Sequence, residues 1–181
     1  AISLHEDGTR IEGVLDGLVV GVRDVSDSDL LDRTMFLTAL FNNGAHAQPG
    51  AVEDLRPDVL RAQFETNFFG WHHLVCQILP HMRERGEGRI VQNSSVLGFA
   101  AMKYRGAYNA SKFAIEGWTD TLRLELHGSG IHISLLQPGP IETQFRTNAL
   151  KAFNKWIRIE GSAHQEAYQQ QKDRLEKETS N

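Results

Sequence analysis

Short apolar runs alternate with long amphipathic segments along this chain, and that alternation limits its fold more than any other feature. Residues 18–22, 35–41, 89–92 and 131–136 are largely apolar, with many β-branched side chains, and read as buried strands. From Pro57, a residue suited to the first position of a helix, Val59, Leu60, Phe64, Phe68, Trp71, Leu74, Val75, Ile78, Leu79 and Met82 recur at steps of three and four. That is one apolar stripe on a long helix, ended by Gly86 and Gly88. Residues 107–127 give a second long helix, stopped at Gly128 and Gly130. Strands alternating with helices imply an α/β domain: a parallel sheet covered by helices on both faces. The 181 residues suffice for one such domain. Residues 1–17 are polar and glycine-rich and receive no element, 28–33 could be a stub of helix, and 42–50 is a loop of turn formers. Residues 165–177 have helical propensity but little apolar content, so a surface helix or a fraying end is expected there.

The chemistry points to three residues. Tyr108 and Lys112 stand four apart in Tyr-Asn-Ala-Ser-Lys, and Ser95 lies thirteen residues before the tyrosine. On a helix, positions i and i+4 share a face, so a phenol and an ammonium would stand side by side. A neighbouring cation favours the phenolate and lowers the phenol's pKa, and a phenol tuned that way can exchange a proton with an alcohol oxygen. The Ser95 hydroxyl, arriving from a strand end, could hold the same oxygen. The alternative is an ordinary surface pair and a strand-end serine.

Further landmarks follow in order. Asn42, Asn43, Gly44 and Ala45 come after the apolar run 35–41, Asn67 lies inside the first long helix, and Pro138-Gly139-Pro140-Ile141-Glu142-Thr143 follows the run 131–136. The whole set resembles the short-chain dehydrogenase/reductase family over roughly residues 18–147. Within it, the phrases Asn67-Phe68-Phe69-Gly70, Ala110-Ser111-Lys112-Phe113-Ala114-Ile115-Glu116-Gly117 and Gly139-Pro140-Ile141-Glu142-Thr143 look most similar to the branch of retinol and 17-beta-hydroxysteroid dehydrogenases.

The resemblance implies a Rossmann-like, doubly wound single domain and an NAD(P)-dependent oxidoreductase, with NADP slightly ahead of NAD. A hydride would pass between nicotinamide and a carbonyl or secondary alcohol on a small apolar substrate. Ser95, Tyr108, Lys112 and Asn67 would be catalytic, Asn67 helping to hold a proton-relay water. Asn67 could instead be a polar residue at a helix kink, bonding its own backbone. Asp24 and Val25 would meet the adenine, and Asn42, Asn43, Gly44 and Ala45, the family's N-N-A-G with its last two residues exchanged, would support the sheet and the adenosine side. Pro138, Gly139, Ile141 and Thr143 would hold the nicotinamide end, with Tyr108 and Lys112 on its ribose. Phe99 and Phe145, with Tyr104 and Trp156, either line the substrate pocket or serve as core and cap residues. The long helices 57–85 and 107–127 would pair two subunits in a homodimer.

Two departures qualify that picture. The family's glycine-rich phosphate turn, which lets backbone approach a pyrophosphate at a helix N-terminus, is not recognised; Gly13, Gly17 and Gly21 are the nearest spacing. Elements beyond about residue 150 are also not recognised, beyond a peripheral helical tail at 150–181. The first residue is Ala1 rather than Met. A trimmed or incomplete family core is therefore expected, and a cofactor-poor relative serving as a binding or dimerising subunit is the alternative function.

Composition removes other classes. The net charge of −4 and the lack of a basic patch argue against nucleic acid, and no apolar run approaches the ~20 residues a membrane span needs. The single cysteine, Cys76, allows no internal disulfide and fits a reducing cytoplasm. His72, His73 and Cys76 sit at helical spacing, yet lone histidines and a small buried thiol explain them better than a metal site. Two glycosylation sequons, at Asn93 and Asn109, overlap the proposed site and are discounted.

Overall fold

A computed structural model describes residues 38–141 and 144–179, together with the short strands β1 (Ser3–Leu4), β2 (Ile11–Glu12), β3 (Val14–Leu15) and β4 (Leu18–Val20). Asp24, Val25, Thr143, the helix stub at 28–33 and the three spaced glycines lie outside the described residues. The central sheet has the order β3-β4-β5-β6-β7, with β5 at Ala39–Asn42, β6 at Gly88–Asn93 and β7 at Ile131–Leu136. From β4 onward every pair is parallel, Leu18 opposite Ala39, Leu40 opposite Ile90 and Ile90 opposite Ile133. This is the parallel α/β sheet that the alternating pattern implies.

Period-2 alternation fixes that register. Leu40, Ile90, Ile131 and Ile133 point to one face and pack against Leu74, Val75, Ile78, Met82, Leu122 and Leu126. Those last six come from or just after α2 (Gly70–Arg85) and α3 (Gly106–Glu125). Each buried Leu or Ile contributes about 1.5–3 kcal/mol. The exposed ion pair Arg56–Asp58 is screened by water and salt, so the apolar face, not surface charge, holds these elements in place. A one-residue slip would exchange that face for Arg89, His132 and Ser134, all exposed. Helix α2 ends on Gly86 with φ 69°, the left-handed cap that glycine adopts without cost.

The first long helix is not one stripe. It comprises α1 (Pro57–Phe64), a π-helical turn at Glu65–Phe69, and then α2. Val59, Gln63, Asn67 and Trp71 face inward, three successive steps of four. In a regular helix of 3.6 residues per turn, three such steps drift by about 120°; the wider π turn absorbs the drift, as such bulges do at functional sites. Leu60, Phe64 and Phe68 therefore do not form core as the stripe predicted. Gln63 and Asn67 displace them because the backbone of the 46–48 loop needs partners: Gln63 Nε2 donates to the His46 carbonyl at 2.7 Å and Gln63 Oε1 accepts from Gln48 N at 2.7 Å. The phenylalanines form an outer ridge instead, with Phe68 edge-on to Phe69 at 5.5 Å and to Trp118 at 6.3 Å.

After β7 the chain forms α4 (Phe145–Trp156) and α5 (Gln165–Thr179). Helix α4 begins five residues before the helical tail expected from 150. Phe153, Ile157 and Tyr168 pack on Ala51 and Leu55, so a tail poor in apolar residues docks through a few large ones. Tyr168 is fully buried; its hydroxyl donates to Asp54 Oδ2 at 2.5 Å and accepts from Ala51 N at 2.7 Å. Burial first, and then the bond to Asp54, push that phenol up to about 12. Tyr168→Phe is expected to cost about 1–3 kcal/mol, because the buried Ala51 N–H loses its acceptor; urea denaturation of the two proteins measures it, and an unchanged midpoint would refute this role.

Candidate active site

The carboxyl ends of β5 and β6 and the first turns of α3 meet at one place, where α/β sheets place their ligands. β6 ends at Asn93, and the next two residues are the buried Ser94 and Ser95. Ser95 is extended and caps the 3-10 turn Val96–Gly98, its Oγ accepting from Leu97 N at 3.1 Å. Tyr108 lies on the first turn of α3, 7% exposed, with the Ser95 hydroxyl near enough to act on its phenol. Four residues on, Lys112 is 1% exposed and donates from Nζ to the Asn93 carbonyl at 2.7 Å. The same ammonium lies 4.7 Å from the centre of the Trp71 ring and 5.5 Å from that of Tyr108.

The electrostatics correct one expectation. Lys112 was expected to lower the Tyr108 pKa, but burial raises that phenol and the opposing influence comes from the Ser95 hydrogen bond. The physical reason is that the ammonium is itself desolvated: burial drives Lys112 down to about 7, against a favourable contribution from the Glu116 carboxylate. Its Nζ is aimed at a backbone carbonyl instead of at the phenol oxygen.

Asn67, on the π turn, is fully buried and used at both ends. Its Oδ1 accepts from His46 N at 3.1 Å, and its Nδ2 donates to the His46 carbonyl at 3.0 Å and to Ser111 Oγ at 3.1 Å. Ser111 Oγ in turn donates to the Tyr108 carbonyl at 2.8 Å. The side chain thus ties the 46 loop to the first turns of α3, and it bonds the backbone of another segment, not its own.

Among the expected cofactor residues, Asn42 is fully buried and donates to Gln92 Oε1 at 2.7 Å, leaving its own Oδ1 without a partner. Asn93 donates to Asn43 Oδ1 and likewise keeps a buried, unpartnered Oδ1. The Gly44 carbonyl accepts from Trp71 Nε1 at 2.9 Å; Ala45 follows it in the same loop, half-buried. The Pro138 carbonyl accepts from Val96 N at 3.1 Å, joining the Pro-Gly segment to the Ser95 turn, while Gly139 and Ile141 are exposed.

The aromatic residues separate. Phe145 packs edge-on to Tyr108 at 5.4 Å and belongs to the site. Phe99 is 61% exposed. Tyr104 turns away to pack on His164 and Tyr168, and Trp156 lies under Lys155. The cavity of about 500 Å³ lined by Ala51, Val52, Glu53, Lys103, Tyr104 and His164 holds none of the catalytic candidates. Cys76 is exposed, not buried, with His72 ring nitrogens 3.7–3.8 Å away, and among the described residues no three metal-ligating side chains converge.

Three positioning groups escaped the sequence reading. Asn109 donates to the Leu97 and Ala100 carbonyls at 2.8 and 2.6 Å and accepts from Met102 N at 3.3 Å, so it shapes the loop that carries Ser95. Trp71 gives Lys112 an aromatic face, and Glu116 supplies a carboxylate one turn further along α3. Helical spacing from Lys112 could have flagged Glu116; nothing in the sequence marks Trp71 as different from core.

Comparison with known proteins gives the same outline. The short chain dehydrogenase family model matches residues 28–153. The Escherichia coli K12 protein named uncharacterized oxidoreductase YbbO is 47% identical over 112 residues, 62% of this chain and 42% of that protein. Human retinol dehydrogenase 8 is 40% identical over 111 residues, 61% of this chain and 36% of that one. The chain therefore spans less than half the length of these relatives. Two solved structures superpose on the fold: a Burkholderia cenocepacia short chain dehydrogenase in complex with NADP (TM-score 0.62, 27% identity, 66% of this chain and 51% of that one) and a Burkholderia phymatum short chain dehydrogenase/reductase in complex with NAD (TM-score 0.65, 27% identity, 77% and 51%).

Proposed function

This chain belongs to the short-chain dehydrogenase family, and on that premise we propose that it carries the catalytic half of an NAD(P)-dependent carbonyl reductase or alcohol dehydrogenase acting on a small apolar substrate. The observation that carries the proposal is the buried Ser95–Tyr108 pair beside Lys112, with the Phe145 ring against the phenol. Two hydroxyls held close together in a desolvated corner can both turn to one carbonyl oxygen. The residues fit a nicotinamide nucleotide, since Asn42 and Asn93 each present a buried acceptor oxygen without a partner, suited to ribose hydroxyls or an amide.

When bound, the reduced nicotinamide supplies a hydride to the carbonyl carbon. Tyr108 gives its hydroxyl proton to the carbonyl oxygen, and in oxidation its phenolate takes that proton back. Ser95 Oγ donates to the same oxygen as negative charge builds there. Lys112 would hold the cofactor ribose, Ile141 and Thr143 the nicotinamide amide, and Asp24 and Val25 the adenine. Asn67 would keep the 46 loop and α3 in register around the proton path. NADP is placed slightly ahead of NAD. The partner in this reading is a second copy of the chain: the ridge of Phe68 and Phe69, with Phe113, the latter two each 47% exposed, would pair across α1–α2 and α3. A cytoplasmic location fits the lone cysteine, and no described helix is long and apolar enough to cross a membrane.

Titration of the chain with NADPH and with NADH, followed by nicotinamide fluorescence and with the mass determined by sedimentation equilibrium on the same sample, tests the proposal. Micromolar binding to a particle of twice the chain mass is the expected result, after which retinoids, steroids and simple ketones are the substrates to screen. A folded chain that binds neither nucleotide would overturn it and favour a binding or dimerising subunit.

A further inference from the structure

Glu116 is a half-buried carboxylate, one oxygen of it fully buried, that the mechanism above does not use. It stands four residues after Lys112 on α3, hence on the same face one turn away. Its Oε2 accepts from Gln137 Nε2 at 2.8 Å, and Gln137 immediately precedes the Pro138-Gly139 segment. Its Oε1 is buried with no hydrogen-bond partner, as is the Ser94 Oγ at the end of β6. Both atoms close on Gly98, where a Cβ would meet each of them at 2.8 Å. Glycine at 98 is what lets the carboxylate sit this deep between the Ser95 turn and α3.

Burying a carboxylate is costly unless an opposite charge or good donors answer it. One amide answers half of this one, and the opposite charge within reach is the Lys112 ammonium. Around Lys112, α2 contributes the Trp71 ring and β6 the Asn93 carbonyl, neither of them charged; the titratable groups are Tyr108 and Glu116, both on α3. We propose that Glu116 is a positioning residue of the site: one carboxylate oxygen fixes Gln137 at the base of the Pro138-Gly139 segment, and the carboxylate charge holds Lys112 as an ammonium. The single side chain thereby couples the proton-bearing end of the site to the segment assigned to nicotinamide. The coupling to nicotinamide rests on the oxidoreductase reading; the charge relation to Lys112 does not. The direction of the Glu116 influence on Lys112, upward against burial, agrees.

The test follows Lys112 itself. The chain is labelled with ε-13C-lysine, and the Lys112 signal is titrated by NMR without nucleotide in the parent, Glu116→Gln, Glu116→Asp and, as an exposed control on the same helix, Glu125→Gln. Glu116→Gln keeps volume and an amide partner for Gln137 but removes charge. Its Lys112 midpoint is expected to fall by about one pH unit or more, the size of effect a close opposite charge exerts. Glu116→Asp should show a smaller fall in the same direction, and it serves alone if the glutamine variant does not fold. Glu125→Gln should show none. A Lys112 midpoint unchanged in folded Glu116→Gln, or unchanged in Glu116→Asp where that is the folded variant, overturns the proposal, because a merely structural role would leave the titration in place. NADPH and NADH titrations on the same samples separate the two ideas. If the parent binds neither nucleotide while Lys112 still responds to Glu116, the oxidoreductase reading fails and the charge relation stands.

Discussion

Replacing Tyr108 with phenylalanine is expected to lower turnover about 10²–10⁴-fold while nucleotide affinity stays within a factor of about three of the parent, the loss being that of general acid–base help. The substitution removes one oxygen and nothing else. The ring keeps its edge contact with Phe145 at 5.4 Å and its place under Lys112 at 5.5 Å, so the surrounding packing gives no reason for the fold to change. At 7% exposure there is little room for a water to stand in for the lost hydroxyl. Ser95 would still donate to a substrate oxygen, which polarises it but delivers no proton. The measurement is kcat at saturating nucleotide with a parallel fluorescence titration; full turnover in the variant would end the assignment of Tyr108 as the acid. The pH dependence follows from the same burial. Because the phenol is raised above its ordinary value, it stays protonated through neutrality. Carbonyl reduction should therefore hold its rate as pH rises past 7, whereas alcohol oxidation, which needs the phenolate, should quicken as pH climbs toward that raised value.

The second large effect is on the relation between stability and pH. Lys112→Met is expected to abolish turnover, leave the chain folded and flatten a rise in stability that the parent shows between pH 7 and 10. Lys112 titrates at about 7 in the folded chain and near 10.5 when unfolded. Between those values the unfolded chain holds a proton that the folded chain has released. Unfolding therefore takes up a proton there, so native stability increases as pH rises through that window. Below pH 7 both states carry the charge, and the native state bears the full cost of burying it. Methionine keeps most of the volume and the contact with Trp71. It loses the bond to Asn93, worth about 1 kcal/mol, but also loses the burial of an ammonium, and each pH unit of pKa depression already stands for roughly that much. Burial is the larger of the two, so the variant should melt no lower than the parent at pH 6. Thermal melts from pH 6 to 10 check this: a parent whose melting temperature is flat across the range, or a variant that rises as the parent does, would contradict it.

Much of the site was legible from local spacing, because the relevant relations are local. Tyr108 and Lys112 share a helix face whatever surrounds them, and Ser95 had to arrive from the strand before that helix. Strand β7 and the ends of α3 fell within two residues of where apolar runs and glycines placed them. What was not legible depends on partners distant in sequence. Gln63 and Asn67 displaced phenylalanines from the core because the 46–48 backbone, at least fifteen residues away, needed their amides. Helix α5 looked like a polar tail, yet Tyr168 reaches back 114 residues to Asp54.

Sequence alone determined the class of fold through side-chain periodicity, pointed to the family through its motifs, and singled out Tyr108 and Lys112 as the candidate pair, since helical spacing is a property of a few consecutive residues. Only the tertiary structure decided how those groups are tuned. Desolvation is a property of everything packed around an atom: α2, β6 and the Ser95 turn together remove water from Lys112 and Tyr108, and one buried oxygen of the Glu116 carboxylate lies one turn along the helix from the lysine.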